Sequence, residues 1–455
     1  MKLHFELDLD KTWLSLKGLV AQFKIQTFLL LYFAVHMVQI AFPSDGSMIF
    51  DEAHYVPAAL ATLNGVAANA EHPPLPKLIS AFGIWLLGNN WFGWRFPQIL
   101  MQIAALYLFY LIAKRLLGDP WALGATMLLG LDTIFFIHGG ALLIDMPSFL
   151  FSFLAIELYF RKRYSWSGVA WGLAFAAREM ALFYFATLMI YHAVKNWHLP
   201  NVKLGWKSAA RYLLIITLVF SVVMFSYDLK YLPAKATSVT NYVNSNVVLG
   251  ANGSAITTIL STSQSTSKDV IWNPVQHVLF IVNYHGPNGL VINTPYAPYD
   301  YAWNWILPCD PINQTCQPFN SPTYFRVDVD VSVNGVATHY VPMWYNSQAN
   351  LAVWYGFIPA LIALGYAIRK RKEWETATLI VVGMLANFVP WVVLSAVVRR
   401  IGFNYYFIYT LPFVALGLAY MWRMLPAKYG KPLLALNVFA ALAFFLWFFP
   451  VRPMP

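Results

Sequence analysis

Charge is what this sequence has least of. Only 11% of its 455 residues are Asp, Glu, Lys or Arg, against 59% apolar, where soluble domains carry roughly a quarter charged. That scarcity excludes a soluble globule, and the 17% aromatic content excludes disordered and coiled-coil chains. The apolar residues gather in runs near the ~20 residues that cross a bilayer, so the expected fold class is a polytopic α-helical membrane protein. Two further absences narrow the reading. No small-residue cleavage site follows the first apolar run, which favours a retained helix over a cleaved signal peptide. No clear internal repeat is present, which counts against a transporter with charged midplane residues and broken helices. The net charge of +10 reads as membrane topology, not as a nucleic-acid footprint.

The runs predict eleven spans, over 25–42, 97–113, 121–138, 141–160, 168–177, 180–194, 212–227, 351–368, 376–397, 404–422 and 433–449. Residues 168–194 are divided at Arg178-Glu179 because one continuous helix would hold both charges deep in lipid. This layout puts 20 of the 30 Lys and Arg in the inner loops and tail, with the N-terminus cytoplasmic and the C-terminus outside. Three regions follow: an N-terminal transmembrane module over 1–227 with its first outer loop at 43–96, an outer loop domain over 228–346, and C-terminal helices over 347–455. Five cations stay on the outer side of short loops, namely Lys77, Arg95, Arg178, Arg399 and Arg400. Such placement opposes insertion and needs a reason. A bound phosphate is one; snorkelling or a pairing with Glu71 or Glu179 is the other.

The large outer loop is rich in Asn, Ser, Thr and Pro. Residues 324–333 alternate apolar and polar, Asn334-Gly335 supplies a two-residue turn, and 336–345 returns, predicting a hairpin within a small β-rich domain. Cys309 and Cys316 lie on the oxidising side, where a disulfide is favoured over a metal site. Asn252 and Asn313 head glycosylation-type triplets. The Trp and Tyr residues of 293–305 suit stacking on sugar or peptide, although an interfacial aromatic belt is the favoured reading.

The densest chemistry lies in the first outer loop. Asp51 and Glu52 stand side by side ahead of Ala53-His54-Tyr55, and Glu71-His72-Pro73-Pro74-Leu75-Pro76-Lys77 follows. Adjacent carboxylates beside a membrane suit a general base and its orienting partner, since crowding and partial burial raise at least one pKa. The competing reading is a charge pair at a helix N-terminus. The Pro pair after His72 fixes an extended backbone and starts a short interfacial helix over 75–88, which holds Lys77 at a set distance from the acids. Asp132 lies inside a predicted span, as a partner for a Tyr or an Arg, and Asp145 stands at the outer start of another. Intramembrane carboxylates are costly and mark function by default.

Three segments, Asp51-Glu52-Ala53-His54-Tyr55, His72-Pro73-Pro74-Leu75-Pro76-Lys77 and Leu143-Ile144-Asp145-Met146-Pro147, resemble in order and spacing the signatures of protein O-mannosyltransferases that use dolichyl-phosphate mannose. Arg400-Ile401-Gly402-Phe403-Asn404-Tyr405-Tyr406, followed by Leu411-Pro412-Phe413, resembles the late helix of that family, with Tyr406 where the family commonly has His. The resemblance covers most of residues 25–425. The outer loop does not match the β-trefoil module of eukaryotic members, which points to an archaeal or bacterial relative in a prokaryotic cell membrane.

The resemblance implies a C-type glycosyltransferase fold of eleven spans, active on its outer face. It implies a polyprenyl or dolichyl monophosphate sugar donor, mannose above all, and a secreted or membrane protein as acceptor. Carried onto this sequence, Asp51 takes the proton of an acceptor hydroxyl and Glu52 shapes the site or contacts the acceptor. Lys77, Arg178, Arg400 and Arg399 stabilise the departing phosphate, while His54, His72, Asp145 and Tyr405 make sugar, acceptor or supporting contacts. A single displacement inverts the anomeric carbon and requires no cofactor. Enzymes of the same fold that glycosylate a lipid, a polysaccharide or asparagine remain alternatives. Oligosaccharyl transfer usually depends on a divalent metal, for which Asp51, His54, His72 and Asp145 are the candidate ligands.

Overall fold

The computed structural model describes residues 24–41, 48, 51–196, 206–232, 234–240, 248–249, 255–256, 263–271, 273–285, 302–306, 323–327, 330–333, 336–339, 343–346, 349–398, 404–447, 449 and 451–453. Cys309, Cys316, Arg399, Arg400, the triplets at Asn252 and Asn313, and the aromatic residues of 293–301 lie outside them. The helices run in chain order α1 (Ile25–Gln39), α2 (Glu52–Leu63), α3 (Leu75–Leu87), α4 (Trp91–Leu117), α5 (Trp121–Gly130), α6 (Thr133–Gly140), α7 (Asp145–Phe160) and α8 (Tyr164–Ala177). They continue as α9 (Ala181–Asn196), α10 (Trp206–Tyr231), α11 (Pro274–His285), α12 (Leu351–Trp354), α13 (Phe357–Arg369), α14 (Trp374–Val393), α15 (Leu411–Arg423) and α16 (Ala427–Trp447).

Among the described residues, five helices are long and apolar enough to cross a ~30 Å hydrocarbon core: Trp91–Leu117, Ser208–Tyr231, Leu351–Arg369, Trp374–Val397 and Ala427–Trp447. A sixth candidate is the pair α5 and α6, bent by 67°. The sequence predicts one unbroken span there. The bend follows from Asp132, whose extended backbone ends the first helix and whose carboxylate caps the second, accepting from Phe135 N at 3.0 Å. The partner of this buried acid is neither Tyr nor Arg but Trp354, whose Nε1 donates to it at 2.7 Å. The other predicted spans are held by α1, α7, α8, α9 and α15, of 13 to 16 residues, only about 20–24 Å long at 1.5 Å per residue. The protein is thus a polytopic all-helical membrane protein with five or six candidate spans among the described residues.

The expected break at Arg178-Glu179 is present: Arg178 adopts an extended conformation after α8, and α9 begins at Ala181. The outer loop departs from expectation. Its strands β1 (Ala234–Thr240), β2 (Val248–Leu249), β3 (Ala255–Ile256), β4 (Ser263–Ile271), β5 (Thr323–Val327), β6 (Asp330–Val333), β7 (Val336–His339) and β8 (Met343–Asn346) form separate small ladders, with β9 (Val451–Pro453) added beside β8. Strands β6 and β7, on either side of the expected turn, pair antiparallel with Val333 opposite Val336. Yet no β domain assembles among the described residues. A two-stranded ladder alone is at best marginally stable in water.

Side chains from distant parts of the chain lock the helices together around one aromatic core. Asn350 Nδ2 donates to Leu131 O and Ala441 O at 2.9 Å each, and Tyr184 OH donates to Tyr409 O at 2.8 Å. Tyr409 stacks on Phe149 with ring centres 4.7 Å apart. Trp305, the described end of the aromatic stretch at 293–305, is buried against Phe388, Trp391 and Phe407, so it serves the core and is not presented for stacking on sugar.

Candidate active site

Asp51 immediately precedes α2, the position where an acid normally caps the exposed N–H groups. Its backbone carbonyl accepts from His54 N and Tyr55 N, both at 2.9 Å, but its carboxylate makes no capping bond. The capping reading of the acidic pair therefore fails for Asp51, and the carboxylate is left for other work. Burial pushes it up from the ordinary carboxylate range, against the pull of His54, Arg178, His72 and His138. An acid so placed takes up a proton more readily than a solvated one, as a general base must.

Glu52 has a different part. It and Arg95 are both fully buried, joined by two parallel bonds of 2.8 Å (Nε to Oε1) and 2.7 Å (Nη2 to Oε2). Oε1 also accepts from Leu142 N at 2.8 Å, and Arg95 Nη1 donates to Ile40 O at 3.1 Å. The pair thus fastens the end of α1, the start of α2, the first turns of α4 and the segment before α7 to one point. Through these bonds Glu52 fixes the start of α2, directly after Asp51. Arg95 belongs to this structural pair and not to a phosphate site.

Asp145, at the start of α7, is 2% exposed and holds three partners. Arg178 Nη1 and Tyr409 OH (2.7 Å) donate to Oδ1, and His138 Nδ1 lies 2.8 Å from Oδ2. Tyr405 packs behind His138 with ring centres 5.8 Å apart, and Tyr406 stacks on Trp391 at 4.3 Å. Asp145 thus holds Arg178 through its Oδ1. The guanidinium retains capacity: its Nε is buried without a hydrogen-bond partner, 3.7 Å from Glu179 Oε1. A guanidinium has five N–H donors in a fixed fork, suited to phosphate oxygens.

Lys77 was expected at the phosphate as well. Its ammonium is instead consumed by the turn ahead of α3, donating to Asn69 O at 2.5 Å, His72 O at 3.1 Å and Ala68 O at 3.2 Å. An ammonium has three donors, and all are used. Burial pulls it down to about 8, although Glu71 and Asp228 act in the other direction. We expect Lys77→Met to remove the ammonium donor from three buried carbonyls, of which Asn69 O keeps a further donor, His72 N, at ~1–3 kcal/mol for each left unsatisfied, and to lower Tm by several degrees together with activity. A phosphate ligand would lose activity at unchanged Tm, so paired thermal and activity measurements separate the two roles.

The structure brings Asp51, His54, His72, Asp145, Arg178 and Tyr405 to one region. It also adds residues that the sequence did not single out as site members: His138, Glu179, His285 and Tyr409. His285 comes from α11 in the outer loop, which docks on the first outer loop through His277 Nε2 to Ala70 O (3.0 Å) and His285 Nε2 to Glu71 O (3.0 Å). The metal set Asp51, His54, His72 and Asp145 does not form. Asp145 is taken by its three partners, and the only convergent group among the described residues is His72 with Glu179 and His285.

Residues 71–225 match the family model described as dolichyl-phosphate-mannose-protein mannosyltransferase. The polyprenol-phosphate-mannose–protein mannosyltransferase of Mycolicibacterium smegmatis is 24% identical over 471 residues, spanning 90% of this chain and 85% of its own. The Mycobacterium tuberculosis protein of the same name is 36% identical over 109 residues, 22% of this chain and 21% of its own. Among solved structures, the S. cerevisiae protein O-mannosyltransferase complex bound to the sugar donor superposes with a TM-score of 0.64 at 12% identity, over 94% of this chain and 90% of that one. ArnT from Cupriavidus metallidurans bound to undecaprenyl phosphate gives 0.54 at 13% identity, over 91% and 63%. These structural likenesses establish the C-type glycosyltransferase fold. Over residues 71–225, and along 90% of its length against the M. smegmatis protein, the chain is thus similar to the membrane-embedded glycosyltransferases described as dolichyl- or polyprenol-phosphate-mannose–protein mannosyltransferases.

Proposed function

We propose that the protein moves mannose from a polyprenyl or dolichyl monophosphate to Ser or Thr hydroxyls of a secreted or membrane protein. The observation that carries this reading is the pairing of two groups: a half-buried carboxylate, Asp51, left out of helix capping, and an arginine, Arg178, held by Asp145 with a donor to spare. Asp51 takes the acceptor hydroxyl proton as the acceptor oxygen bonds to the anomeric carbon. The bond from that carbon to the phosphate oxygen breaks, and the electron pair leaves with the lipid phosphate. Phosphate is a good leaving group and needs no proton, only stabilisation of its charge. Arg178 supplies that, with Arg399 and Arg400 as further candidates. The chemistry itself requires no cofactor.

In this reading the short helices α1, α7, α8, α9 and α15 complete an eleven-span layout. The N-terminus is cytoplasmic, the active site and C-terminus lie outside a prokaryotic cell membrane, and Cys309 and Cys316 form a disulfide in the outer loop. The bacterial relatives, named for a polyprenol-phosphate-mannose donor and a protein acceptor, support it. A single displacement also fixes stereochemistry. Nuclear magnetic resonance of the glycosylated peptide should show an anomeric configuration opposite to that of the donor. Retention would mean a covalent glycosyl-enzyme and would overturn the single-base mechanism.

A further inference from the structure

One cluster at the edge of the site has no step in the transfer proposed above. His72 on the turn before α3, Glu179 in the break between α8 and α9, and His285 at the end of α11 point at a common centre. His72 Nδ1 lies 3.7 Å from Glu179 Oε2, and His285 Nε2 lies 3.5 Å from Glu179 Oε1. All the donor atoms fall within 4.8 Å of one another. Both separations exceed an N–H···O hydrogen bond, which ends near ~3.2 Å. They match instead the edge of a coordination tetrahedron: two ligands each ~2.1 Å from a zinc ion stand about 3.4 Å apart.

The individual atoms suit a cation at that centre, in addition to the Arg178 guanidinium, whose Nε lies 3.7 Å from Glu179 Oε1. His72 is 9% exposed, and its Nδ1 and both carboxylate oxygens of Glu179 are buried without a hydrogen-bond partner. On the far side of the His72 ring, Nε2 lies 3.4 Å from Tyr55 OH. With the ring proton on Nε2, facing that hydroxyl, the bare Nδ1 lone pair points at the carboxylate, an arrangement that a cation between them stabilises. Metal-ligating histidines are oriented by a contact of this kind on the other ring nitrogen. The Glu71 carbonyl oxygen, 3.0 Å from His285 Nε2, offers a further oxygen at the same place. In the ion-free arrangement that carbonyl accepts the His285 Nε2 proton, so loading requires the Nδ1-protonated tautomer.

We propose that His72, Glu179 and His285 bind one divalent transition cation of the zinc class. Two imidazoles and one carboxylate form a borderline donor set, which suits zinc better than the all-oxygen preference of magnesium or calcium. The cation joins three segments remote in sequence: the first outer loop that follows Asp51, the break that carries Arg178, and the outer-loop helix α11. Its role is positioning, one residue from Arg178, and it makes no contact with the reacting bond in this proposal. The inference stands on these distances whether or not mannose is the sugar moved.

The test uses the full-length protein in nanodiscs, stripped with chelator, re-equilibrated with zinc sulfate and desalted. Elemental mass spectrometry should find one zinc per chain, and zinc should raise Tm. Glu179→Gln and His285→Ala should each bind zinc about 100-fold or more weakly and lose the Tm rise, while His54→Ala keeps both. Zinc-edge absorption of the wild type should show nitrogen and oxygen neighbours without sulfur. The wild-type absorption spectrum and Tm shift carry the test even where a variant folds poorly. A wild type that retains no zinc and shows no Tm rise overturns the proposal. Retention that survives both substitutions, or a sulfur shell, overturns it equally.

Discussion

Asp51→Asn is expected to lower the transfer rate by about 10²–10⁴-fold, the usual contribution of a positioned general base. Asparagine keeps the shape and a hydrogen-bonding oxygen but cannot take the acceptor proton. The same substitution should not weaken the fold. Burial raises the Asp51 pKa above its unfolded value, so the stability this group contributes is present at low pH and lost as pH rises through the folded pKa. At neutral pH the ionised carboxylate is a cost that asparagine removes. Tm of the variant at pH 7 should therefore equal or exceed that of the wild type. The wild-type rate should also fall on acidification at a pH above the ~3.9 of a free aspartate, as the base becomes protonated. A variant that retains full activity, or one that loses activity by unfolding, would contradict the assignment.

The second large effect concerns the neighbouring residue and has the opposite character. Glu52→Ala or Arg95→Met leaves an uncompensated charge at a point where both side chains are fully buried, and breaking such a pair costs about 3–5 kcal/mol. Either single variant should express poorly and unfold at markedly lower temperature. Replacing both residues by apolar side chains of similar volume should recover much of that loss, because a buried ion pair is often no more stabilising than hydrocarbon. The recovered double variant should still transfer slowly, since Leu142 N and Ile40 O lose their partners and the start of α2 loses its fixed direction. A thermal double-mutant cycle in which the two single losses simply add would refute the pairing as the source of the effect.

The contrast between these adjacent acids shows how far the sequence could be read. Spacing and residue type located the acidic pair, the Pro-led start of α3 and the helix break at Arg178-Glu179, because each depends on a local cost: charge in lipid, or the fixed backbone of proline. The division of labour between Asp51 and Glu52 was not local. Arg95 lies 43 residues from Glu52, and Trp354 lies 222 residues from the Asp132 it satisfies, so no pattern along the chain announces either partner. Lys77 shows the same limit. Its position among outer cations suggested an anion, whereas three backbone carbonyls within nine residues take its charge. His285 was hidden because the outer loop around it matched no known module, and only its docking against Glu71 and Glu179 gives it a role. The β-rich domain is a related case: alternation and an Asn-Gly turn specify a hairpin, but not how hairpins assemble, and among the described residues the strands form separate small ladders.

The most direct test of the central claim is mass spectrometry of a Ser/Thr-rich peptide incubated with the purified protein and mannosyl phosphoryl polyprenol. The predicted result is a peptide heavier by one hexose, localised to a Ser or Thr, formed by the wild type and not by Asp51→Asn. Donor consumed by the wild type with the sugar found on a lipid or on asparagine, or unmodified peptide across several acceptor sequences, would contradict it.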